Sequence, residues 1–442
     1  MAEIVPCTEL HPIPDGEVRL LGAVRTVTGA MTRVDVPGAR ILVDCGIPQG
    51  ADARGFRLPD AASEAHALVL THGHLDHIGS IPTLLDRGFD GPIYATAPTL
   101  EITALSLEDG LGLQGAPPGE IERVLGRFRA LAKPVPYDRA FDVRGTTVAF
   151  REAGHLLGSA SVELRRGRAR VVLSGDLGRP DSPILRDPNT EWARDVGPVD
   201  LLVMESTYGS REHAHDHARI SRDLEAILRT AAQRGGHVLV PAFAVGRTQV
   251  LLWFIDDLVE SGRVPRIPVA IDTPMGLAVT DTYQRFRKLY DKESLAKLAR
   301  GDDPLDFTEL FAVHRGKDSR RLLDHDGALV VIAGSGMCTG GRIVNHLIEG
   351  LPDPRTTVLF VGHQAEGTPG ARILAAKGRG GRVQVGDREV EVRAEIAVLK
   401  GLSAHADRKE LTAWMNHLPG LARVALHHGD EEAQRSFAAY AG

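Results

Sequence analysis

One short run of the sequence carries four side chains of the kinds that bind metal ions. The run is His72-Gly73-His74-Leu75-Asp76-His77. The His-X-His alternation lets two imidazoles reach one ion from an extended loop, while the Asp and His that follow project toward a neighbouring position. Imidazole and carboxylate together suit zinc at neutral pH. The run therefore predicts part of a site for two adjacent metal ions, which we expect to be zinc.

Six residues cannot complete two coordination spheres, so further ligands must come from elsewhere in the chain. His155, Asp176 and His428 each lie just beyond an apolar stretch. A carboxylate can offer one oxygen to each of two ions, which makes Asp176 the natural bridging ligand. His427 is the neighbouring alternative to His428.

The elements that must position these residues are short strands in the first half of the chain. Strands are predicted over 18–24, 31–36, 40–44, 66–70, 146–150, 169–173 and 199–204, and an amphipathic helix over 81–87. The His-rich run therefore lies on a strand-to-helix loop. His155, Asp176 and Glu205 also follow or end strands, at the positions where α/β and related layered folds gather their chemistry.

The middle of the chain changes to an alternation of helices and strands. Helices are predicted over 219–234 and 248–260, and buried strands over 237–240, 267–271 and 328–333. This pattern predicts an inserted α/β domain of Rossmann-like character. After residue 382 the pattern returns to strands, over 390–399 and 423–426, with a helix between them that begins near Asp407.

Composition limits the classes of function. The 442 residues include 43% hydrophobic and 25% charged residues, which predicts a soluble globular chain of more than one domain. A net charge of −6 argues against a protein that coats nucleic acid indiscriminately, but leaves room for a local basic groove. No membrane span or signal peptide pattern is present, so we expect a cytoplasmic protein without membrane partners. The three cysteines are far apart and are expected to be reduced thiols.

Several segments together resemble the signature of the metallo-β-lactamase superfamily. They are Leu42-Val43-Asp44-Cys45-Gly46, Thr71-His72-Gly73-His74-Leu75-Asp76-His77-Ile78-Gly79, Gly154-His155 and Ser174-Gly175-Asp176. Three more segments resemble motifs A, B and C of the β-CASP nucleases, a family within this superfamily. These are Glu205-Ser206-Thr207-Tyr208-Gly209, Ser403-Ala404-His405-Ala406-Asp407 and Leu426-His427-His428-Gly429-Asp430.

The resemblance runs along nearly the whole chain and implies a fold. Supporting matches are Pro241-Ala242-Phe243-Ala244-Val245-Gly246-Arg247, Gly336-Met337-Cys338-Thr339-Gly340-Gly341-Arg342 and Gly362-His363-Gln364-Ala365-Glu366-Gly367-Thr368. The implied fold class is α/β: an αββα metallo-β-lactamase sandwich, formed by residues 1–206 and 386–442, with an inserted Rossmann-like β-CASP domain over 207–385. Mild departures from the family pattern are Asp430, in place of Glu, and Thr273-Pro274-Met275-Gly276.

The resemblance also implies an activity and assigns roles to residues. His72, His74 and His155 would hold one zinc ion, Asp76, His77 and His428 the other, and Asp176 would bridge the two. The implied enzyme is a zinc-dependent ribonuclease, endonucleolytic or 5′–3′ exonucleolytic, in which a hydroxide bridging the two ions attacks RNA phosphodiester bonds in the cleft between the domains. A histidine in motif C is typical of the RNA-processing members, so His428 favours RNA as partner. Asp76, Glu205 and His405 are the catalytic candidates, with His405, poised by Glu205, protonating the departing ribose oxygen.

Other segments have less specific patterns. A Gly-rich loop before a predicted helix makes Ser335, Gly336, Thr339, Gly340 and Gly341 candidates for binding a substrate phosphate. The segment 213–217 carries three histidines but is interpreted as an exposed loop or helix start. A homodimer is compatible with the sequence. Alternative functions are a hydrolase acting on DNA or a small-molecule ester, and a non-catalytic RNA-processing scaffold.

Overall fold

The protein is described by a computed structural model that covers residues 2–5, 8–212 and 216–442. The chain divides into two compact units. Met1–His213 together with Ala404–Gly442 form the first unit, and Ala214–Ser403 form the second. Among the described residues, no helix combines the length and the apolar character that crossing a membrane requires.

The strands and helices are numbered here in chain order. The strands are β1 (Glu3–Val5), β2 (Leu10–Ile13), β3 (Gly16–Leu20), β4 (Thr32–Val36), β5 (Ala39–Val43), β6 (Ala67–Val69), β7 (Ile93–Ala95), β8 (Ala132–Pro134), β9 (Phe141–Val143), β10 (Thr146–Glu152), β11 (Ala160–Arg166), β12 (Ala169–Leu173), β13 (Leu201–Glu205), β14 (Val238–Pro241), β15 (Val269–Ile271), β16 (Leu310–Ala312), β17 (Val330–Ala333), β18 (Thr357–Phe360), β19 (Arg382–Val385), β20 (Arg388–Glu391), β21 (Glu395–Val398) and β22 (Arg423–His427). The α-helices are α1 (Asp60–Ser63), α2 (Leu75–Ile78), α3 (Ile81–Asp86), α4 (Ala97–Leu113), α5 (Pro118–Leu131), α6 (His217–Arg234), α7 (Arg247–Glu260), α8 (Pro274–Arg285), α9 (Lys292–Ala299), α10 (Gly316–Ser319), α11 (Ile343–Gly350), α12 (Pro369–Ala375), α13 (Arg408–Met415) and α14 (Glu431–Ala441).

Two sheets face each other in the first unit. Their strand orders are β2-β3-β4-β5-β6-β7-β8 and β1-β22-β13-β12-β11-β10-β9. Side chains alternate between the two faces of a strand, so Ile41 and Val171 lie in the core between the sheets. Their neighbours Leu42 and Val172 point to the opposite faces, where they are also buried. Burial on both faces explains why these strands are continuous apolar runs in the sequence.

Helices cover the outer faces of both sheets. Leu84, Leu107 and Phe128, from α3, α4 and α5, belong to the core on one side. Trp414 and Phe437, from α13 and α14, belong to the core on the other. The first unit is therefore an αββα sandwich, which confirms the fold class expected from the sequence.

The second unit is built on a parallel sheet with the order β16-β15-β17-β14-β18-β21, joined by an antiparallel hairpin of β19 and β20. The alternation of strands and helices is the one expected for an inserted α/β domain. Helix α6 begins where the Asp216 carboxylate accepts a hydrogen bond from the Arg219 N–H. It ends at Gly235, whose φ of 62° lies in the left-handed region that glycine adopts at low cost.

A buried polar cluster in the second unit centres on the carboxylate of Asp272, which follows β15. Asp272 is fully buried and accepts hydrogen bonds from Ser319 Oγ, His346 Nε2 and Arg342 Nη1, each at 2.6 Å. We call these four residues the Asp272 cluster. Because burial alone raises the pKa of a carboxyl group, these donors are what lowers the pKa of Asp272.

The end of the second unit differs from the boundary expected from the sequence. The sequence places the return to the sandwich at residue 386, with one strand over 390–399. That stretch instead forms two strands: β20 pairs with β19, and β21 pairs in parallel with β18. Apolar residues indicate that a strand is buried but do not indicate which sheet it joins, and the pairing of β21 extends the second unit to Ser403.

Candidate metal centre

The residues predicted to bind metal lie at strand ends in the first unit. Strands β12, β13 and β22 are neighbours that run parallel, so their carboxyl ends meet at one edge of their sheet. Asp176 follows β12, Glu205 ends β13, and His428 follows β22 directly. On the other sheet, β6 leads into the run that begins at His72. Strand pairing thus gathers side chains that are far apart in the sequence.

His72, His74, His155 and Asp176 form a first donor group, with ligand atoms within 4.8 Å of one another. His74 Nδ1 lies 3.2 Å from His72 Nε2 and 3.3 Å from His155 Nε2. Asp176 Oδ2 lies 3.5 Å from His72 Nε2 and 3.7 Å from His155 Nε2. Donors at the corners of a tetrahedron around zinc, with bonds of about 2.0 Å, are about 3.3 Å apart. These separations fit donors that converge on one small cation.

Asp76, His77 and His428 form a second donor group. His428 Nε2 lies 3.2 Å from His77 Nε2 and 3.4 Å from Asp76 Oδ2. Asp176 contributes here too, because its Oδ1 lies 3.2 Å from His77 Nε2. These separations are again those of donors that converge on one small cation.

Asp176 lies between the two groups with one oxygen facing each. It is 2% exposed, and among the described residues its Oδ1 meets no donor with good hydrogen-bond geometry, since its contact with His77 Nε2 at 3.2 Å is an ion-pair contact only. A buried carboxylate oxygen that is poorly satisfied by hydrogen bonds is destabilising. A divalent cation in the second group would remove that cost, so the side chains fit a pair of bound metal ions.

A carboxylate oxygen of Glu205 lies within 4.8 Å of ligand atoms of Asp176 and His428, so Glu205 is a further candidate metal ligand. Its carboxylate is engaged elsewhere, however: both oxygens lie 3.2 Å from His405 Nδ1, and Oε1 accepts the Leu177 N–H at 2.6 Å. We therefore place Glu205 with His405. Burial lowers the pKa of His405, but the Glu205 carboxylate outweighs that effect, and the pKa rises to about 9.

The charges of the two donor groups suit a cation. Burial lowers the pKa of His72 and His155 well below the usual range and that of His74 to about 4, so these rings are neutral and offer lone pairs. Burial also disfavours the protonated form of His77, but Asp176 and Asp44 raise its pKa well above the usual value. Two carboxylates that stabilise positive charge on this ring would stabilise a metal ion in the same place.

Asp44 and Thr71, which sequence reasoning did not assign to the site, make hydrogen bonds to the ligand histidines on the side away from the metal position. Asp44 Oδ1 accepts the Thr71 N–H at 2.8 Å, and its Oδ2 accepts from the Thr71 hydroxyl at 2.7 Å and from His77 Nδ1 at 2.8 Å. The Thr71 hydroxyl also lies 3.1 Å from His72 Nδ1. Gly46 must lack a side chain, because a Cβ there would lie 1.7 Å from the Asp76 carbonyl oxygen. Asp44 lies in the segment Leu42–Gly46 that resembles the superfamily signature, but its hydrogen bond to His77 could not be deduced from spacing.

Of the two adjacent histidines after β22, His428 lies in the donor group. Its Nδ1 is 3.1 Å from the Thr207 hydroxyl, which also donates to the His428 carbonyl, so Nε2 faces Asp76. His427 points away and donates from Nε2 to the Gly22 carbonyl at 2.8 Å. Thr207 was part of a recognised motif, yet its contact with the ring was not predicted.

The candidate phosphate-binding loop lies in the second unit, between β17 and α11. Ser335 and Thr339 interact with each other: the Ser335 hydroxyl accepts the Thr339 N–H at 3.0 Å and lies 3.1 Å from the Thr339 hydroxyl. The Ser335 N–H donates to the Gly340 carbonyl. These bonds stiffen the loop but occupy two of the N–H groups expected to bind phosphate. In the histidine-rich segment 213–217, residues 213 and 215 lie outside the described part of the chain, and His217 is the first residue of α6.

Comparisons with known proteins agree with this architecture. Family models match over residues 25–242 for the metallo-beta-lactamase superfamily, over 248–373 for the Beta-Casp domain, and over 389–442 for the "Zn-dependent metallo-hydrolase RNA specificity domain". Ribonuclease TTHA0252 of Thermus thermophilus is 38% identical over 417 residues, which cover 93% of this chain and 92% of the relative. Transcription termination factor FttA of Methanocaldococcus jannaschii is 30% identical, with coverage of 95% and 68%.

A solved structure supports the fold alone. A protein of unknown function from Enterococcus faecalis aligns with a TM-score of 0.56 at 13% sequence identity, covering 95% of both chains. The sequence matches are stronger, and they extend through both units. The chain therefore belongs to the β-CASP family of RNA-processing nucleases within the metallo-β-lactamase superfamily.

Proposed function

We propose that this protein hydrolyses phosphodiester bonds of RNA with two zinc ions held by the two donor groups. The observation that carries the proposal is Asp176, whose two oxygens face separate groups of donors with zinc-like separations. The names of the two relatives and the RNA specificity domain matched by residues 389–442 support RNA as the substrate. Of the candidate metals, zinc suits a donor set of five imidazoles and two carboxylates.

The bound cations would acidify the attacking water and neutralise charge on the phosphate oxygens. The chain itself supplies the proton for the departing ribose oxygen. His405 Nδ1 faces the Glu205 carboxylate, so Nε2 is the nitrogen that would deliver the proton, and the raised pKa keeps the ring protonated at neutral pH. Glu205 thus orients the acid and stabilises its charged form.

Parallel cleavage assays with RNA and DNA test this function. The full chain is loaded with zinc and incubated with an RNA and the matched DNA, each labelled once at the 5′ end and once internally. We expect cleavage of RNA only, abolished by EDTA and by Asp76→Ala, which removes a ligand of the second group. His405→Ala should retain bound zinc but lose at least 100-fold in rate, because a positioned acid typically contributes 10²–10⁴-fold. The two labels distinguish internal cuts from stepwise removal of 5′ nucleotides.

Each alternative predicts a different result. Equal cleavage of DNA would contradict the choice of RNA and favour a broader phosphodiesterase. Zinc-loaded protein that cuts neither nucleic acid would refute the nuclease proposal. If such protein still bound RNA tightly, the non-catalytic scaffold would be the better description.

A further inference from the structure

Phe243 is an exposed aromatic residue in the second unit, two positions after β14. It is 44% exposed, although isolated exposed apolar residues are common and need no function. Its surroundings are unusual, because glycines that follow the two neighbouring strands, β17 and β18, lie beside the ring. A Cβ on Gly336 would lie 3.1 Å from Phe243 Cδ2 and Cε2, and one on Gly362 would lie 3.9 Å from Cε2. One part of the ring is therefore packed against backbone while another part remains open.

The backbone around Phe243 is held firmly. Its carbonyl accepts from the Thr248 hydroxyl at 2.8 Å, and the Ala244 carbonyl accepts from Gln249 Nε2 at 3.2 Å. Gln249 Oε1 also accepts the Gly246 N–H at 2.8 Å. The backbone that carries the ring is therefore fixed, so binding a ligand there would cost little backbone entropy.

The position in the sheet is one where ligands bind. Strands β17 and β14 are neighbours in the sheet. From β14 the chain passes through α7 to β15, which lies on the far side of β17. From β17 it passes through α11 to β18, which lies on the far side of β14. The two adjacent strands therefore lead in opposite directions. Right-handed crossovers then place the two helices on opposite faces and open a crevice at the carboxyl ends of these strands. Phe243 and the loop Gly334–Gly341 both follow these strand ends.

We propose that Phe243 is a stacking platform for one unpaired base of the RNA substrate, with the backbone of the adjoining nucleotide along the Gly334–Gly341 loop. Every base has an aromatic face, so this contact would be tolerant of sequence and would select unpaired bases over paired ones. The glycines let the backbone pack against one part of the ring, and the exposed part is left for a base. This inference rests on the proposed function and assigns part of its substrate recognition to the second unit.

The test measures binding and cleavage of a short fluorescent oligoribonucleotide, with one abasic position moved along it in turn. Binding is measured in EDTA, so it does not depend on catalysis. Loss of one stacked base weakens binding about 5- to 150-fold, and we expect Phe243→Leu to do so with KM raised by a similar factor and kcat nearly unchanged. Phe243→Trp should bind as wild type does. Phe311→Leu is the matched control, because Phe311 is 39% exposed in the same unit but lies on the edge strand β16.

The abasic series decides whether the contact is a stack. At one position of the oligonucleotide, removing the base should weaken binding to the wild type by the same factor as the Phe243→Leu substitution does. At that position, the variant should bind the abasic oligonucleotide no more weakly than it binds the intact one. If Phe243→Leu binds as tightly as Phe311→Leu, or if its loss adds fully to that of every abasic position, the inference is wrong. Wild type that cleaves RNA while Phe243→Leu is unaffected would refute this inference alone. Wild type that neither cleaves nor binds RNA would refute the proposed function and this inference together.

Discussion

Replacing Asp44 by asparagine would isolate the role of one charge behind the metal centre. Asp44 has a φ of 60°, in the left-handed region that asparagine tolerates better than most residues, so the backbone is preserved. The two side chains have nearly the same shape. The change lies in hydrogen bonding, since an amide offers one acceptor and one donor group where the carboxylate offers two acceptors.

Either orientation of the amide leaves one contact unfavourable. If its oxygen accepts the Thr71 N–H, its NH₂ faces His77 Nδ1, and the ring proton must move to Nε2, the nitrogen that faces the second donor group. If the amide is reversed, its NH₂ opposes the buried Thr71 N–H. Loss of such an outer partner typically lowers metal affinity 10- to 100-fold. We therefore expect the second metal to bind more weakly by about 1.4 to 2.7 kcal/mol.

Zinc competition against a chromophoric chelator measures this effect site by site. Wild type should bind two ions tightly, whereas Asp44→Asn should weaken the second site most. The first site should lose less affinity, because Asp44 reaches His72 only through the Thr71 hydroxyl and because His155 has its own outer partner in the Ala404 carbonyl. Asp35→Asn is the control. It removes a carboxylate bonded to the buried Arg33 guanidinium at 2.7 Å and should lower stability without changing zinc binding.

Two outcomes would refute this reasoning about Asp44. One is unchanged affinity at both sites in Asp44→Asn, which would mean that the tautomer of His77 does not depend on the carboxylate. The other is an equal loss in Asp35→Asn, which would mean that affinity follows global stability. A loss confined to the first site would show that Asp44 supports the first donor group and not the second.

Three further predictions address other parts of the molecule. The pKa of His405 is raised to about 9 mainly by Glu205, so in Glu205→Gln the alkaline limb of the kcat profile should move to lower pH, with a larger loss at pH 8 than at pH 6; parallel profiles would contradict this. Mass spectrometry of the folded protein should find one zinc ion lost in His428→Ala and none lost in His427→Ala, whereas the reverse would exchange their roles. Asp272→Ala should destabilise the second unit by about 3 to 5 kcal/mol in urea unfolding, because it leaves the Arg342 guanidinium, the buried His346 ring and the buried Ser319 hydroxyl without their common acceptor; a change under 1 kcal/mol would show the cluster to be dispensable.

Much of the sandwich could be predicted because its strands are buried on both faces. The strand predicted over 169–173 is β12 without change, and the polar residues that follow such strands lie at the metal centre. The same reasoning could not assign β21 to a sheet, since an apolar pattern contains no information about its neighbour. The contact between His77 and His428 joins residues 351 positions apart. Spacing cannot predict a contact of that range, and the expectation depended on family motifs.

The least predictable part of the site was the set of groups behind the ligands. Asp44, Thr71 and Thr207 are ordinary turn and strand-end residues in the sequence, where they serve equally well as caps. Their roles depend on which ring nitrogen they reach, to within a few tenths of an ångström. Periodicity and residue type place a side chain on a face or at a strand end, but they do not determine such distances.

These outer contacts have a common consequence for the histidine tautomers. Asp44 accepts from Nδ1 of His77, and the Ala404 carbonyl accepts from Nδ1 of His155. The Thr71 hydroxyl donates to Asp44, so it can accept from Nδ1 of His72. In the neutral form of each ring the proton is therefore held on Nδ1, and Nε2 offers its lone pair to the metal position; His77, whose pKa is raised, gives up its second proton when a cation binds. Because the chain fixes these tautomers through its own hydrogen bonds, it pre-organises the ligands for a cation, and little reorganisation remains when the metal binds.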